Sequence, residues 1–291
     1  MSTFKAVLGP HEQVARLKSG ELQLKTGTLE FEEIAPTHHA FKPMIANQPF
    51  DFCEMAITTL ILAKAYGRPI HMLPTVMIGR LQQPFAAVNA KVKMDGPADL
   101  AGKTIGVRSF AQTTVTWIRG ILKCDHNASF DGVKWVKFED GHVPEAADPA
   151  VQAPAGRKMK EMLVAGDIDI AIGQRSDGPE TRPLFGPDPD KMAAEWLAKH
   201  GCYTINHIVA VPERMVANHL DTIVDFYTLL KKNKASAAQT PNGIDPKPYG
   251  FVPNLSALNL LIEYMNALDM MPKPIALDDL IDPRLQEAIG E

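Results

Sequence analysis

The chain of 291 residues predicts an α/β fold in two lobes, each a mixed, mostly parallel sheet flanked by helices. Three observations lead there. Two β-branched runs, Thr104-Ile105-Gly106-Val107 and Ile168-Asp169-Ile170-Ala171-Ile172, suit strands covered on both faces. Each follows a helical stretch closed by a glycine, Gly102 or Gly166, which can take the left-handed conformation that ends a helix. Strands and helices then alternate along the chain, the pattern of a doubly wound sheet.

Taken in order, Phe4–Leu8 predicts a strand, His11–Ser19 a helix or turn, Leu29–Ile34 a second strand and Phe41–Ala46 a helix. Phe50–Glu54 is a strand feeding a helix from Thr58 to Tyr66. Ile70–Val76 and Phe85–Val88 follow as strands, and Lys91–Ala98 is a loop that turns at Asp95-Gly96-Pro97. Thr104–Val107 is a strand, Thr113–Lys123 a helix and Val133–Phe138 a strand. From Glu139 to Gly156, proline, alanine and glycine leave no clear element. Lys158–Ala165 is a helix and Ile168–Ile172 a strand, and the proline-rich stretch 176–190 is a loop long enough to be functional. Lys191–His200 is a helix, Ile208–Val211 a strand, Val216–Lys231 a long helix and Ser256–Leu268 a terminal helix opened by Pro248-Tyr249-Gly250.

Breaks in composition near Gln82-Gln83-Pro84 and near Thr204 divide this run. An outer lobe of residues 1–84 and 208–291 is expected around an inserted lobe of residues 85–207, with the ligand in a cleft between them. The tips Arg108-Ser109-Phe110 and Gln174-Arg175-Ser176 stand at carboxyl ends of strands, where open sheets bind ligands. Each carries an arginine and a hydroxyl, so a small anion is the expected cargo.

Composition narrows the classes. Hydrophobic residues at 45% against 22% charged describe a globular chain, not a disordered one. A net charge of −4 without a basic run argues against nucleic acid. The longest apolar stretch, Met55 to Ala63, is too short to span a bilayer, so no membrane partner is expected. Cys53, Cys124 and Cys202 are odd in number and widely spaced, which predicts reduced thiols in the cytoplasm, and the first residues show no export signal.

Phe50-Asp51-Phe52-Cys53-Glu54-Met55 with its following hydroxyl pair, Gly102-Lys103-Thr104-Ile105-Gly106-Val107, Trp117-Ile118-Arg119-Gly120, and Gly166-Asp167-Ile168-Asp169 through Arg175 form one set of blocks. Arg182-Pro183-Leu184-Phe185, Asn206-His207-Ile208-Val209-Ala210 and Pro248-Tyr249-Gly250 form a more particular one. Together, and collinearly from Gly9 to about Pro283, they resemble the 4,5-dihydroxyphthalate decarboxylase family. The resemblance implies a type 2 periplasmic-binding-protein-like fold turned to removing one carboxyl group from a dihydroxylated aromatic diacid, with no organic cofactor. The sequence leaves a bridging divalent ion open, and apolar segments in the last helices permit a homodimer without requiring one. The chain departs from the family at Gln82-Gln83, where Arg-His is typical, at Pro10-His11-Glu12 and at Thr204.

Loss of carbon dioxide from an aromatic ring needs an acid to protonate the carboxyl-bearing carbon, and a ring hydroxyl to carry the charge. A histidine suits the first task and arginines hold the carboxylates in bidentate geometry. His207, just before a returning strand, is the first candidate for the acid; its bland reading is a core histidine bonded to a backbone carbonyl. His11 is the second, set against a helix-capping role, and Glu54 would orient a histidine or bond a phenol, unless it is simply a satisfied buried carboxylate. Arg175 is expected to bind a carboxylate, with Arg108 at the matching position; solvent-facing ion pairs are the alternative. Arg80, two positions before Gln82, either supplies the family's missing arginine or is an exposed loop charge, and Gln82 itself is a substrate candidate. Thr58 and Thr59 open a helix and would converge hydroxyls and amides on an anion, as would Gln112 and Thr113 on the other lobe; ordinary helix capping explains both pairs equally. His38-His39 has no partner at ligand spacing, so no metal is expected there. Trp117, Trp135 and Trp196 read as core.

Two functions compete. One is a cofactor-independent aromatic acid decarboxylase, and the other is the solute-binding protein of an ABC importer, holding a small carboxylate without turnover. The unpaired cysteines favour the first.

Overall fold

The computed structural model describes residues 2–234, 243–280 and 282–290. Strands run over Ser2–Val7 (β1), Gly27–Phe31 (β2), Phe52–Ala56 (β3), Ile70–Gly79 (β4), Ala86–Asn89 (β5), Thr104–Val107 (β6), Lys134–Lys137 (β7), Val151–Gln152 (β8), Ile170–Ile172 (β9), Thr181–Pro183 (β10) and Ile205–Pro212 (β11). The α-helices are Ala15–Lys18 (α1), Phe41–Asn47 (α2), Ile57–Ala65 (α3), Thr113–Gly120 (α4), Met159–Ala165 (α5), Pro189–His200 (α6), Glu213–Asn218 (α7), Leu220–Asn233 (α8), Leu255–Ala267 (α9) and Pro283–Ile289 (α10). They fall into two units, one of Met1–Arg80, Ile205–Asn259 and Lys273–Glu291, the other of Leu81–Thr204 and Leu260–Pro272.

The first unit is built on a five-stranded sheet in the order β2-β1-β3-β11-β4. β1 runs parallel to β2 and β3, while β11 is antiparallel to both of its neighbours. β3 is buried at all five positions, as expected of a strand covered on both faces. Phe52 stacks on Phe226 of α8 at 4.0 Å between ring centroids, inside a core that includes Phe4, Leu73, Val209 and Tyr227. β4 bulges against β11: Leu73 faces Val209 and Val76 faces Ile208, leaving Pro74 and Thr75 without partners on that strand. Proline has no N–H for the ladder, so the bulge accommodates it. The Pro248-Tyr249-Gly250 segment bonds to the bulge instead, with Gly250 N donating to Pro74 O and Val76 N to Pro248 O.

The second unit holds a six-stranded sheet in the order β10-β5-β9-β6-β7-β8. The two runs that predicted the fold are neighbours in it: β6 and β9 pair in parallel, Val107 opposite Ile172. Gly166 closes α5 at φ +84°, in the left-handed region. Trp117, Trp135 and Trp196 are buried here, as expected.

The divisions fall at 80/81 and 204/205 instead of 84 and 208, and residues 260–272 sit apart from the rest of the C-terminal segment. The reason is Tyr264. Its ring covers Gly120 so closely that a Cβ there would meet Tyr264 Cδ2 at 2.2 Å, and its hydroxyl donates to Asp125. Other local expectations shift as well. The helix expected over Val216–Lys231 is two, broken at His219, whose ring packs edge-on against Phe4. The helix from Thr113 passes through a π-helical turn at Ile121–Asp125, and β8, β10 and α10 arise where no element was expected. Among the described residues no helix is long and apolar enough to cross a membrane.

Candidate functional site

A carboxylate sits in the middle of β3, between two imidazoles. The register explains how. Glu54 faces Val209 and Ala56 faces His207, so Glu54 and His207 project from the same face of neighbouring antiparallel strands. His207 Nδ1 lies 2.7 Å from Glu54 Oε1. On the other side, the turn after β1 brings His11 Nε2 to 2.8 Å from Glu54 Oε2, which also accepts the Gly9 N–H at 2.7 Å. Three distant chain segments thus meet on one carboxyl group. Gly9 is required by this packing: a Cβ there would stand 2.8 Å from His11 Nε2 and 3.0 Å from Glu54 Oε2.

Glu54 is only 1% exposed. Burial alone would push its carboxyl up, but the hydrogen bonds from His11 and His207, with their charges, outweigh that and hold it down at about 2. The group is therefore an anion at neutral pH. A carboxylate only accepts hydrogen bonds, so the ring nitrogen facing it on each histidine carries the proton. That assigns N–H to His207 Nδ1 and His11 Nε2. Phe41 of α2 packs edge-on against the His207 ring at 5.4 Å between centroids, limiting its tilt. Such an array can hold an imidazole in one tautomer, stabilise it when protonated and pass its proton on.

Thr58 and Thr59 occupy the second and third positions of α3, one residue later than expected, because the helix starts at Ile57. Both are buried, and the capping position is Ala56, which has no side-chain acceptor to offer the first-turn amides. Arg80 directly follows β4 in the same unit and is partly exposed.

The remaining predicted residues belong to the second unit. Val107 and Ile172 end their strands side by side, and a Cβ on Gly173 would meet Gln112 Oε1 at 3.6 Å, so the two tips do converge. Gln112 is the N-cap of α4 and Thr113 its first residue. Arg175 lies beyond the strand end, its guanidinium carbon 4.5 Å from the centre of the Phe85 ring. Arg108 Nε stands 3.8 Å from Glu139 Oε2. Gln82 is fully buried, and its Nε2 donates to Thr204 Oγ1 at 2.7 Å.

Sequence reasoning missed Gly9 and Phe41 as parts of this array, and a second cluster altogether. His71, Glu213 and Asp282 bring three ligand-type atoms within 4.8 Å of one another. The donor set does not suit a cation. Arg284 already pairs with Glu213 and Asp282, each at 2.7 Å, and Lys64 Nζ is 3.4 Å from His71 Nδ1, so the charge is neutralised. His38 and His39 touch each other edge to face on a 3₁₀ turn.

Comparison with known proteins adds to this geometry. Residues 28–244 match the family model described as NMT1/THI5 like. The 4,5-dihydroxyphthalate decarboxylase of Comamonas testosteroni is 27% identical over 229 residues, covering 73% of this chain and 68% of that protein. The enzyme of the same name from Pseudomonas putida is 25% identical over 205 residues, covering 65% and 79%. Among solved structures, the periplasmic aliphatic sulphonate binding protein of Escherichia coli superposes with a TM-score of 0.57 at 12% identity, over 99% of each chain. The fold is that of the periplasmic binding proteins.

Proposed function

Because the chain belongs to the NMT1/THI5-like family and has 4,5-dihydroxyphthalate decarboxylases among its relatives, we propose that it decarboxylates a hydroxylated aromatic dicarboxylate. The first substrate to try is 4,5-dihydroxyphthalate, giving 3,4-dihydroxybenzoate. The observation that carries this reading is the buried, ionised Glu54 bonded to both His11 and His207.

His207 is the general acid. With Nδ1–H held by Glu54, protonated Nε2 delivers its proton to the ring carbon that bears the carboxylate. A hydroxyl ortho or para to that carbon carries the positive charge. The carbon–carboxyl bond then breaks, its electron pair restores the aromatic ring, and carbon dioxide leaves. His207 regains a proton from solvent, so one proton is consumed for each carbon dioxide released. Glu54 orients the imidazole for the transfer, and His11 is placed to bond a phenol or to act as a second acid. The substrate's own hydroxyl takes the charge, so the reading invokes no organic cofactor. Thr58 and Thr59, on the first turn of α3, are proposed to serve a carboxylate through the helix's positive end. The free cysteines Cys53, Cys124 and Cys202 accord with a cytoplasmic enzyme.

The test is direct. Purified protein is incubated with 4,5-dihydroxyphthalate and a panel of hydroxylated benzoates, while released carbon dioxide and the phenolic spectrum are followed. Turnover supports the proposal. A raised melting temperature with no product would replace it with ligand binding alone.

A further inference from the structure

We infer that the second unit carries a separate binding site for a small, uncharged aromatic carboxamide, in a cavity of about 170 Å³ beside α6. The cavity lies wholly within that unit and shares no residue with the His11–Glu54–His207 array, so it stands independently of the proposed reaction.

Size sets the first limit. An apolar cavity of about 150 Å³ accepts benzene, so this one holds a single six-membered ring with a small substituent. Its walls suit a flat ring. Met192, Glu195, Trp196 and Lys199 recur at helical spacing along one face of α6, and opposite them Phe185 packs against the His126 ring at 5.6 Å between centroids. Burial lowers the proton affinity of His126, which favours a neutral imidazole in that wall.

The polar lining chooses the substituent. Gln83 lines the cavity, is 2% exposed, and its buried Oε1 has no hydrogen-bond partner among the described residues. A buried amide left unsatisfied is costly, and a ligand that completes it recovers that cost. The natural complement of an amide is another amide, which both donates and accepts, whichever way the Gln83 side chain is turned. An acid is the wrong complement. Asp125 is already saturated, accepting from Trp196 Nε1 at 3.0 Å, Tyr264 Oη at 2.5 Å, Lys199 at 2.5 Å and His200 at 3.1 Å. With Lys199 committed to that carboxylate and Glu195 beside it, a second anion meets repulsion.

The experiment titrates the full-length protein with benzamide, toluene and benzoate, reading heat of binding and tryptophan fluorescence. Benzamide is expected to bind with a Kd of about 1 mM or tighter, and toluene and benzoate at least tenfold more weakly. Gln83→Leu should remove the preference for benzamide while leaving toluene binding unchanged, which also shows that the variant is folded. Phe185→Ala should weaken benzamide and toluene alike. The inference is overturned if benzamide fails to bind, if it binds no better than toluene or benzoate, or if Gln83→Leu keeps full benzamide affinity.

Discussion

Glu54 and His207 share one face of two adjacent antiparallel strands, two register positions apart, and this diagonal placement brings His207 Nδ1 to 2.7 Å from Glu54 Oε1. Sheet register therefore sets the orientation of the proposed acid, while the hydrogen bonds from His11 and His207 keep its partner ionised against the cost of burial.

Replacing His207 with alanine or glutamine should lower kcat on the dihydroxylated diacid by roughly 10²- to 10⁴-fold, the usual worth of a positioned general acid. KM should change little, because the ring donates a proton but does not anchor a carboxylate. Steady-state kinetics on both variants, with circular dichroism as a folding control, decides it. An unaltered kcat would remove His207 from the chemistry.

Glu54→Gln offers one carbonyl acceptor where the carboxylate serves two imidazoles, so at least one histidine must let go or switch tautomer, and kcat should fall. It should also change the response to acid. A carboxyl held at about 2 stabilises the fold above its ordinary value of 4.5 and loses that contribution as pH falls from there toward 2. The contribution is on the order of 3 kcal/mol for this buried group. Urea unfolding measured from about pH 6 down to about pH 2 should show a steep loss in the native protein and a flatter profile in the variant.

Gly9→Ala places a methyl group 2.8 Å from His11 Nε2. The imidazole must shift, since overpacking of this kind costs about 1–3 kcal/mol. Activity should drop more than stability does, and the NMR resonances of His11 should move while those of the second unit stay in place. A variant with native kinetics would show that His11 need not hold its position.

Gln82 and Thr204 form a buried pair across 122 residues of sequence. Gln82→Leu and Thr204→Val should each destabilise by about 1–3 kcal/mol, because each strands a buried polar partner. The double variant should be less destabilised than the sum, by about 1 kcal/mol. Strict additivity in chemical denaturation would mean that the bond contributes nothing.

Much of this architecture is legible in the residues, and the reasons it is legible differ. Thr104–Val107 and Ile170–Ile172 are strands because β-branched residues buried on both sides have few other uses, and Gly166 marks its helix end by chemistry that no other residue supplies as cheaply. His11, Glu54 and His207 were readable as separate candidates from residue type and position. Their convergence was not, because it depends on β11 threading between β3 and β4, and pairing of that kind leaves no local trace. Gln82 was a candidate only because it stands where the family carries an arginine, and its bond to Thr204, 122 residues away, has no local trace either. The cluster at His71, Glu213 and Asp282 escaped notice for the same reason as the array: its members are far apart in sequence, and none sits in a recognisable motif.

The insertion of β11 between β3 and β4 has a consequence for synthesis. Both flanking strands leave the ribosome early, β3 with one ladder edge open and β4 with both, and the strand that joins them follows only after the main segment of the second unit has been translated. Until residue 212 emerges, these apolar, hydrogen-bond-hungry edges must be kept from other chains. Late in its birth, the nascent polypeptide is a natural client for chaperones.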